Sequence, residues 1–241
     1  MPSAAGDIVI VHSSDLHVDD GYTMRAWGGD GNAPLAAVLD AAREADADIV
    51  LLTGDVFEHN RLSDAVLERT RSLLSAAGMP VVLLPGNHDP LVDGSVWHRG
   101  GLIAIDGVHV LGAETETIAF PALDLAVWGR PHTDYDDMAP LTGPPERAAR
   151  WHVVAGHGHF VEERPPWGRH APAWLITAEE IEATAADYVA LGHWNMHTPV
   201  GGGRVTACYS GSPDYAETVN VVRLGAGGTQ VTRAPVGGAP K

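Results

Sequence analysis

Side chains that can bind metal ions follow five short apolar segments of this 241-residue chain. Each segment is rich in Val, Ile and Leu, and each leads into Asp, Asn or His. The candidate residues are Asp15, His17, Asp55, Asn87, His88, His157 and His193. Carboxylate, imidazole and amide groups together form a mixed nitrogen and oxygen site that suits manganese, iron or zinc. A carboxylate can also bridge two ions, and such an ion pair promotes in-line displacement at phosphorus.

Each of these residues alone has a structural explanation, because Asp and Asn commonly stabilise turns and a single His is often an ordinary surface or core residue. The repetition at five segment ends is what favours a metal site. Continuous apolar runs of this length are typical of strands buried on both faces. The segments are 8–17, 48–55, 81–89, 152–159 and 188–195.

Helical patterns lie between the first of these strands. Residues 33–47 are rich in alanine with a proline near the start, and residues 63–78 begin at Ser63 and end at Gly78. Serine is a favourable N-terminal cap and glycine a favourable C-terminal stop. The alternation of strands and helices predicts a layered α/β fold, in which the carboxyl ends of strands gather ligands at one edge.

Later strand-like segments have few helices between them and predict a second sheet packed on the first. They are 107–120, 123–129, 205–212 and 219–225. We expect a single domain over residues 1–230 and a flexible C-terminal tail over residues 231–241.

The amino-acid composition limits which kinds of molecule the protein is expected to bind. The chain has 45% hydrophobic residues, a formal net charge of -16 and one cysteine, Cys208. The negative charge argues against non-specific attraction to phosphate backbones or anionic membranes as the main driver of binding. The sequence contains neither a signal-peptide pattern nor an apolar run of membrane-spanning length, so we expect a cytoplasmic protein without a membrane partner.

Five short motifs resemble those of the calcineurin-like metallophosphoesterases. They are SDLH, TGDVFE, PGNHD, AGHG and LGHWN, and their order and spacing agree from Asp15 to about Leu224. The segments HSSDLH, 54–89 and YSGSPDYAE are most similar to the DNA repair exonuclease (SbcD-like) branch, although the capping domain of that branch is not expected here. The resemblance implies a four-layer α/β/β/α sandwich with two mixed sheets.

The resemblance also implies a role for each motif residue. Two divalent ions, with manganese favoured over iron or zinc, would be held by Asp15 and His17 at the first position and by Asn87, His157 and His193 at the second, with Asp55 bridging. His88 would act as general acid while a hydroxide shared by the ions attacks phosphorus in line. Glu58 would orient His88, or it would be a solvent-facing carboxylate.

One motif position departs from the family. Where a second histidine of the last motif is expected, this chain has Asn195. Its carbonyl oxygen can occupy the ligand position and would bind the first ion more weakly than imidazole does. His197 is the alternative ligand if the loop bulges.

The expected substrate is a phosphoester, with a phosphodiester of the nucleotide or nucleic-acid class favoured. Loop residues that could contact it are Arg25, Trp27, Arg164 and Arg169, together with His197. A non-catalytic binding scaffold on the same fold is the alternative, because fold does not guarantee activity.

Overall fold

The first half of the chain alternates strands and helices as the apolar pattern predicts. The computed structural model describes residues 7–19, 21–164 and 173–238. Its first strands are β1 (Ile8–Ser13), β2 (Ile49–Thr53), β3 (Val81–Leu84) and β4 (Val108–Val110). The helices among them are α1 (Gly21–Ala26), α2 (Ala33–Glu44), α3 (Asp64–Ser75) and α4 (Val96–Arg99).

The second half of the chain is mostly β-structure. Its strands are β5 (Thr117–Phe120), β6 (Leu125–Gly129), β7 (Trp151–His157), β8 (His159–Val161), β9 (Leu175–Thr177), β10 (Tyr188–Gly192), β11 (Thr198–Val200), β12 (Thr206–Tyr209), β13 (Thr218–Gly225) and β14 (Gly228–Pro235). The short helices α5 (Ala178–Ala183) and α6 (Pro213–Ala216) interrupt them. The longest described helices have 12 residues, and no described helix could cross a membrane.

Local sequence explains the two long helices. In α2 a proline occupies the first turn, and in α3 the Ser63 side chain accepts a hydrogen bond from the Val66 N–H at 3.4 Å. Both helices bury leucines against the outer face of the β1–β2–β3 sheet, with Leu35 and Leu74 among them. This packing removes one face of each helix from water, which is the main source of helix stability in proteins.

Two mixed sheets form the centre of the described structure. The first has the order β14-β13-β1-β2-β3-β4 and the second β11-β12-β10-β7-β6-β5. Neighbours β1 and β2 are parallel whereas β1 and β13 are antiparallel. Ile10 and Leu51 of the first sheet pack with Val127 and Val153 of the second to form the core between the sheets. With α5 outside the second sheet, this is the α/β/β/α sandwich that the sequence predicted.

Two details of the sequence prediction are wrong. The strands at 108–110 and 218–225 join the first sheet, while β7 and β10 belong to the second. Apolar runs mark a strand but carry no information on its hydrogen-bonding partner. The predicted tail also begins too early, because residues 228–235 form β14 and pair with β13 along its length. Residues 239–241 lie outside the described part of the chain.

Candidate metal centre

The turns after the ligand-bearing strands meet at one edge of the two sheets. The Asp15 N–H donates to the Gly54 carbonyl at 3.1 Å, which ties the β1 turn to the β2 turn. The His88 N–H, after β3, donates to Asp55 Oδ1 at 2.9 Å. From the second sheet, the His193 N–H donates to Asp15 Oδ2 at 2.9 Å. Strand ends that are distant in sequence therefore share one hydrogen-bonded framework.

Two glycines allow the sheets to approach this closely. A Cβ on Gly192 would lie 1.9 Å from the Thr53 carbonyl oxygen, and a Cβ on Gly54 would lie 2.1 Å from His157 Nδ1. Real Cβ atoms do not approach that closely, so a side chain at position 192 would push the sheets apart and one at position 54 would displace the His157 ring. The glycine before the aspartate or histidine of these motifs is thus a requirement of packing.

The backbone is strained where the ligands are held. Asp15, His17, Asp55 and His193 have φ angles of 55°, 44°, 50° and 104°. Non-glycine residues rarely occupy this region, and such strain persists only where the surrounding structure enforces it. Four of the ten described non-glycine residues with positive φ are candidate ligands, which agrees with a functional role for this edge.

Two groups of potential ligands share one carboxylate. Ligand atoms of Asp15, His17 and Asp55 lie within 4.8 Å of one another, and so do those of Asp55, His157 and His193. Asp55 belongs to both groups and is almost completely buried. A carboxylate common to two adjoining ligand sets has the placement that a bridging ligand requires.

The contacts of His157 fit a bound cation. Its Nδ1 lies 2.9 Å from the Thr53 carbonyl oxygen, so this nitrogen carries the proton and donates. His157 Nε2 faces Asp55 Oδ2 at 3.1 Å and Asn87 Oδ1 at 3.0 Å. Two oxygens that converge on this nitrogen in a buried space require a positive charge between them, which a proton on Nε2 supplies in the metal-free protein and a bound metal ion would replace. Their chemistry, one imidazole nitrogen and two oxygens, suits a divalent transition metal.

Electrostatics at the site reflects two buried carboxylates. Burial raises the pKa of Asp15, whereas the charge of His157 outweighs burial and lowers the pKa of Asp55. Burial opposes protonation of His157 and His17, but hydrogen bonds and charges from Asp55 and Glu58 prevail and raise the pKa of each to about 9. Burial, with the charge of His157, lowers the pKa of His193 to about 4. The carboxylates thus stabilise positive charge in the pocket.

Sequence comparison identifies the family. The sequence profile of the calcineurin-like phosphoesterases matches residues 8–197. The chain belongs to this family. It is therefore a metallophosphoesterase, a phosphoric ester hydrolase of a family that uses a centre of two divalent metal ions, and its His, Asp and Glu clusters could bind metal.

Solved structures share the fold of the phosphoesterase. The protein TT1561 of Thermus thermophilus superposes with a TM-score of 0.59 at 14% identity, covering 94% of this chain and 99% of that chain. A Staphylococcus aureus protein, provisionally described as a 5′-nucleotidase and crystallised with alpha-ketoglutarate, gives 0.63 at 16% identity over 95% of this chain and 54% of that chain. At these identities the similarity shows a common fold. No curated protein matches the sequence.

Glu58 lies between two histidines of the phosphoesterase and contacts them differently. Its carboxylate Oε2 is 2.8 Å from His17 Nδ1 but 3.6 Å from His88 Nδ1. His88 Nδ1 instead donates to the backbone carbonyl of Glu58 at 3.0 Å. The resemblance offered Glu58 as a partner that orients His88 or as a solvent-facing carboxylate; in the structure its carboxylate is hydrogen-bonded to His17 and forms only a longer ion pair with His88, whose hydrogen bond is to the main chain of residue 58.

Asn195 and His197 lie in different surroundings. Asn195 lines a small cavity together with Asp15 and His17. His197 directs Nδ1 to Asn220 Oδ1 at 2.8 Å. Among the described His, Cys, Asp and Glu residues, three groups could hold a metal ion, and His197 belongs to none of them. Of these two residues, only Asn195 lines the cavity beside Asp15 and His17.

The proposed substrate residues are mostly engaged elsewhere in the described structure. The indole N–H of Trp27 donates to the Asp214 carboxylate, and the guanidinium of Arg164 pairs with Glu180 at the start of α5. Arg25 is exposed on α1. Arg169 lies outside the described residues.

Two buried residues beside the pocket were not recognised in the sequence. Asp89 accepts hydrogen bonds from the backbone N–H of Phe57 at 3.0 Å and of Gly86 at 2.6 Å, and burial raises its pKa to about 7. Asp89 joins the loops after β2 and β3. It is the last residue of the PGNHD motif, which is the feature of the sequence that could have identified it. His132 places Nε2 3.0 Å from the His157 carbonyl oxygen. The sequence could have identified His132 because it follows β6, which is a further apolar strand that leads into a histidine.

Proposed function

We propose that the phosphoesterase hydrolyses phosphodiesters of the nucleotide or nucleic-acid class with two divalent ions, of which Mn²⁺ is preferred and Fe or Zn is also suitable. The observation that carries the proposal is the presence of Asp55 in both ligand groups, each of which fits within 4.8 Å. The motifs that resemble the SbcD-like exonuclease branch support the choice of substrate. The net charge of -16 favours a short ester over an extended duplex.

The ligand assignment follows from position. We assign the first ion to Asp15, His17 and Asn195, the second to Asn87, His157 and His193, and the bridging role to Asp55. When bound, two divalent ions neutralise the phosphoryl oxygens and bring the pKa of water toward neutrality. The chain contributes the framework that fixes these donors before substrate arrives.

His88 supplies the proton for the leaving group in this proposal. Its side chain is 39% exposed, so substrate can reach it, and the His17 ring lies 4.8 Å away, centroid to centroid. Because its Nδ1–H is held by the carbonyl of Glu58, Nε2 is the nitrogen left to face the ester. An imidazole with one nitrogen anchored and the other facing the leaving oxygen is suited to general acid catalysis.

The test is His88→Ala with Mn²⁺ present. We expect turnover of bis-p-nitrophenyl phosphate to fall by about 10²–10⁴-fold, with two Mn²⁺ still bound per chain by elemental analysis. His98→Ala is the matched control, since His98 is exposed on α4. Retention of activity in His88→Ala would rule out His88 as the acid.

A generic ester screen separates hydrolysis from a scaffold role. The wild-type enzyme should hydrolyse bis-p-nitrophenyl phosphate faster than p-nitrophenyl phosphate, and a chelator should abolish both activities. Absence of turnover on every ester, with Mn²⁺ bound, would favour the non-catalytic scaffold.

A further inference from the structure

The small cavity that Asn195 lines with Asp15 and His17 extends to helices α1 and α6 of the phosphoesterase. Its volume is about 250 Å³, and one wall contains Asp15, His17 and Asn195. Its lining also includes a second wall with Tyr22 of α1, Tyr215 of α6 and Ser212, which immediately precedes α6. At about 30 Å³ per water molecule this space holds roughly eight waters. It therefore has room for one small organic group next to a phosphate, and none for a duplex.

Two tyrosines form an aromatic surface on this wall. The rings of Tyr22 and Tyr215 are stacked, with centroids 5.8 Å apart and an angle of 13° between their planes. They are 48% and 51% exposed, which places them among the most exposed large hydrophobic residues described. Nucleobases stack on aromatic side chains of this kind, whatever the base.

The aromatic surface is held by contacts other than the stack itself. The Asp214 carboxylate of α6 accepts a hydrogen bond from Thr23 Oγ1 at 2.9 Å and another from the Trp27 indole N–H. These bonds fasten α1 to α6 beneath the tyrosines. A preorganised surface loses less entropy when a ligand binds.

Ser212 adds an unused polar group to the same wall. Its side chain is almost completely buried, and its Oγ has no hydrogen-bond partner among the described residues. A buried hydroxyl without a partner is unusual in a folded protein, and it needs an explanation. Rotation of the Ser212 side chain toward the cavity that the residue lines would bring this buried Oγ to the hydroxyl of a bound sugar.

We propose that this cavity binds the nucleoside of a nucleotide diester, with the base on the Tyr22–Tyr215 surface and the sugar beside Ser212. The inference rests on the proposed phosphodiester hydrolysis and narrows its substrate to esters that carry a single accessible nucleoside. Because the same cavity is lined by Asp15 and His17, a phosphate on that nucleoside lies next to the ions.

Two diesters with the same leaving group test the proposal. Thymidine 5′-(p-nitrophenyl phosphate) should be hydrolysed with a kcat/KM at least about tenfold above that of methyl p-nitrophenyl phosphate, as expected for one stacked base. In Tyr22→Leu and Tyr215→Leu the ratio of these two kcat/KM values should fall toward one. Tyr22→Phe and Tyr215→Phe preserve the rings and should preserve the ratio. Ser212→Ala should lower the ratio about 2–10-fold.

Equilibrium binding distinguishes failure of this site from failure of hydrolysis. Calorimetry on the Mn²⁺-loaded enzyme should show thymidine 5′-monophosphate binding about tenfold tighter than inorganic phosphate, with the difference lost in Tyr215→Leu. Equal binding of the two ligands by the wild-type enzyme would overturn the nucleoside site even if both esters were hydrolysed. Selective nucleotide binding without hydrolysis would uphold the nucleoside site and refute the proposed reaction. An unaltered substrate ratio in both leucine variants would overturn the role of the tyrosines.

Discussion

Glu58→Ala offers the sharpest test of how the candidate centre is organised. The carboxylate of Glu58 is within hydrogen-bond distance of His17 Nδ1, at 2.8 Å, but beyond it for His88 Nδ1, at 3.6 Å. The substitution removes the partner of His17 and leaves the backbone carbonyl that holds His88 in place. We therefore expect the variant to lose affinity for the first ion and to retain its general acid.

The magnitude follows from the contact. A hydrogen bond to a charged group contributes about 1.5–3 kcal/mol, and the two side chains are only 23% and 30% exposed, so solvent screens it weakly. At about 1.4 kcal/mol per tenfold, this corresponds to roughly 10–150-fold in affinity. Loss of a residue that orients a ligating histidine typically weakens metal binding about 10–100-fold, in agreement with that range.

Calorimetric titration of Mn²⁺ into chelator-treated protein measures the effect. The weaker of the two binding steps should weaken further in Glu58→Ala, while the step assigned to His157 and His193 stays unchanged. Saturating Mn²⁺ should restore most of the turnover, because the defect lies in affinity. Glu58→Gln keeps an acceptor oxygen without the charge and should fall between the alanine variant and the wild type.

The opposite outcome would refute this reasoning. If both Mn²⁺ affinities are unchanged and turnover remains low at saturating Mn²⁺, the Glu58 side chain acts through His88. The 3.6 Å separation would then shorten in the working enzyme, and the assignment from the sequence would be right.

Three further predictions concern stability, ion occupancy and pH. Asp89→Ala should lower the free energy of unfolding in urea by about 2–5 kcal/mol, since two buried N–H groups lose their acceptor; the exposed Asp106→Ala is the control, and equal stability would contradict the role of Asp89. Anomalous scattering from Mn²⁺-loaded crystals should show the first ion at lower occupancy than the second, and Asn195→His should reduce the difference; equal occupancy in the wild type would argue against a weakened first position. In chelator-treated protein, protonated His17 and His157 contribute stability that is complete below pH 6.5 and lost as pH rises through their pKa of about 9. The melting temperature of this protein should fall as pH rises through that pKa, and the increase in melting temperature on adding Mn²⁺ should become larger, because only deprotonated imidazole binds the ion. An increase that does not depend on pH would exclude these histidines as ligands.

The sequence predicted the strands and the fold class because apolar runs and helix caps are local signals. Ser63 caps α3 as expected, and the candidate ligands fall at or just after the strands that the runs marked. Sheet membership was not predictable from those signals. Val108–Val110 and Thr218–Gly225 have the same apolar character as strands of the second sheet, yet they pair within the first.

In the candidate site, too, the sequence indicated which residues take part but not which of them contact each other. The family resemblance implied that Asp55 would bridge two ions, and Asp55 belongs to two groups of potential ligands. The partner of the Glu58 carboxylate was missed because His17 and His88 lie 41 and 30 residues from it in opposite directions along the chain. Only the close packing of the β1 and β3 turns decides which imidazole the carboxylate reaches. The tyrosine pair was missed for a similar reason, as 193 positions separate Tyr22 from Tyr215 in the sequence.

The close approach at Gly54 and Gly192 has a consequence for how this enzyme can diversify. Gly192 lies against the main chain of Thr53 and Gly54 against the His157 ring, so neither position accepts one added methyl group without moving a neighbour of the candidate metal centre. Helices α1 and α6, by contrast, meet through side chains at the outer rim, where a change of residue alters the neighbouring cavity without moving a sheet. New substrates are therefore accessible through replacement of rim residues, while the reaction itself is inherited unchanged.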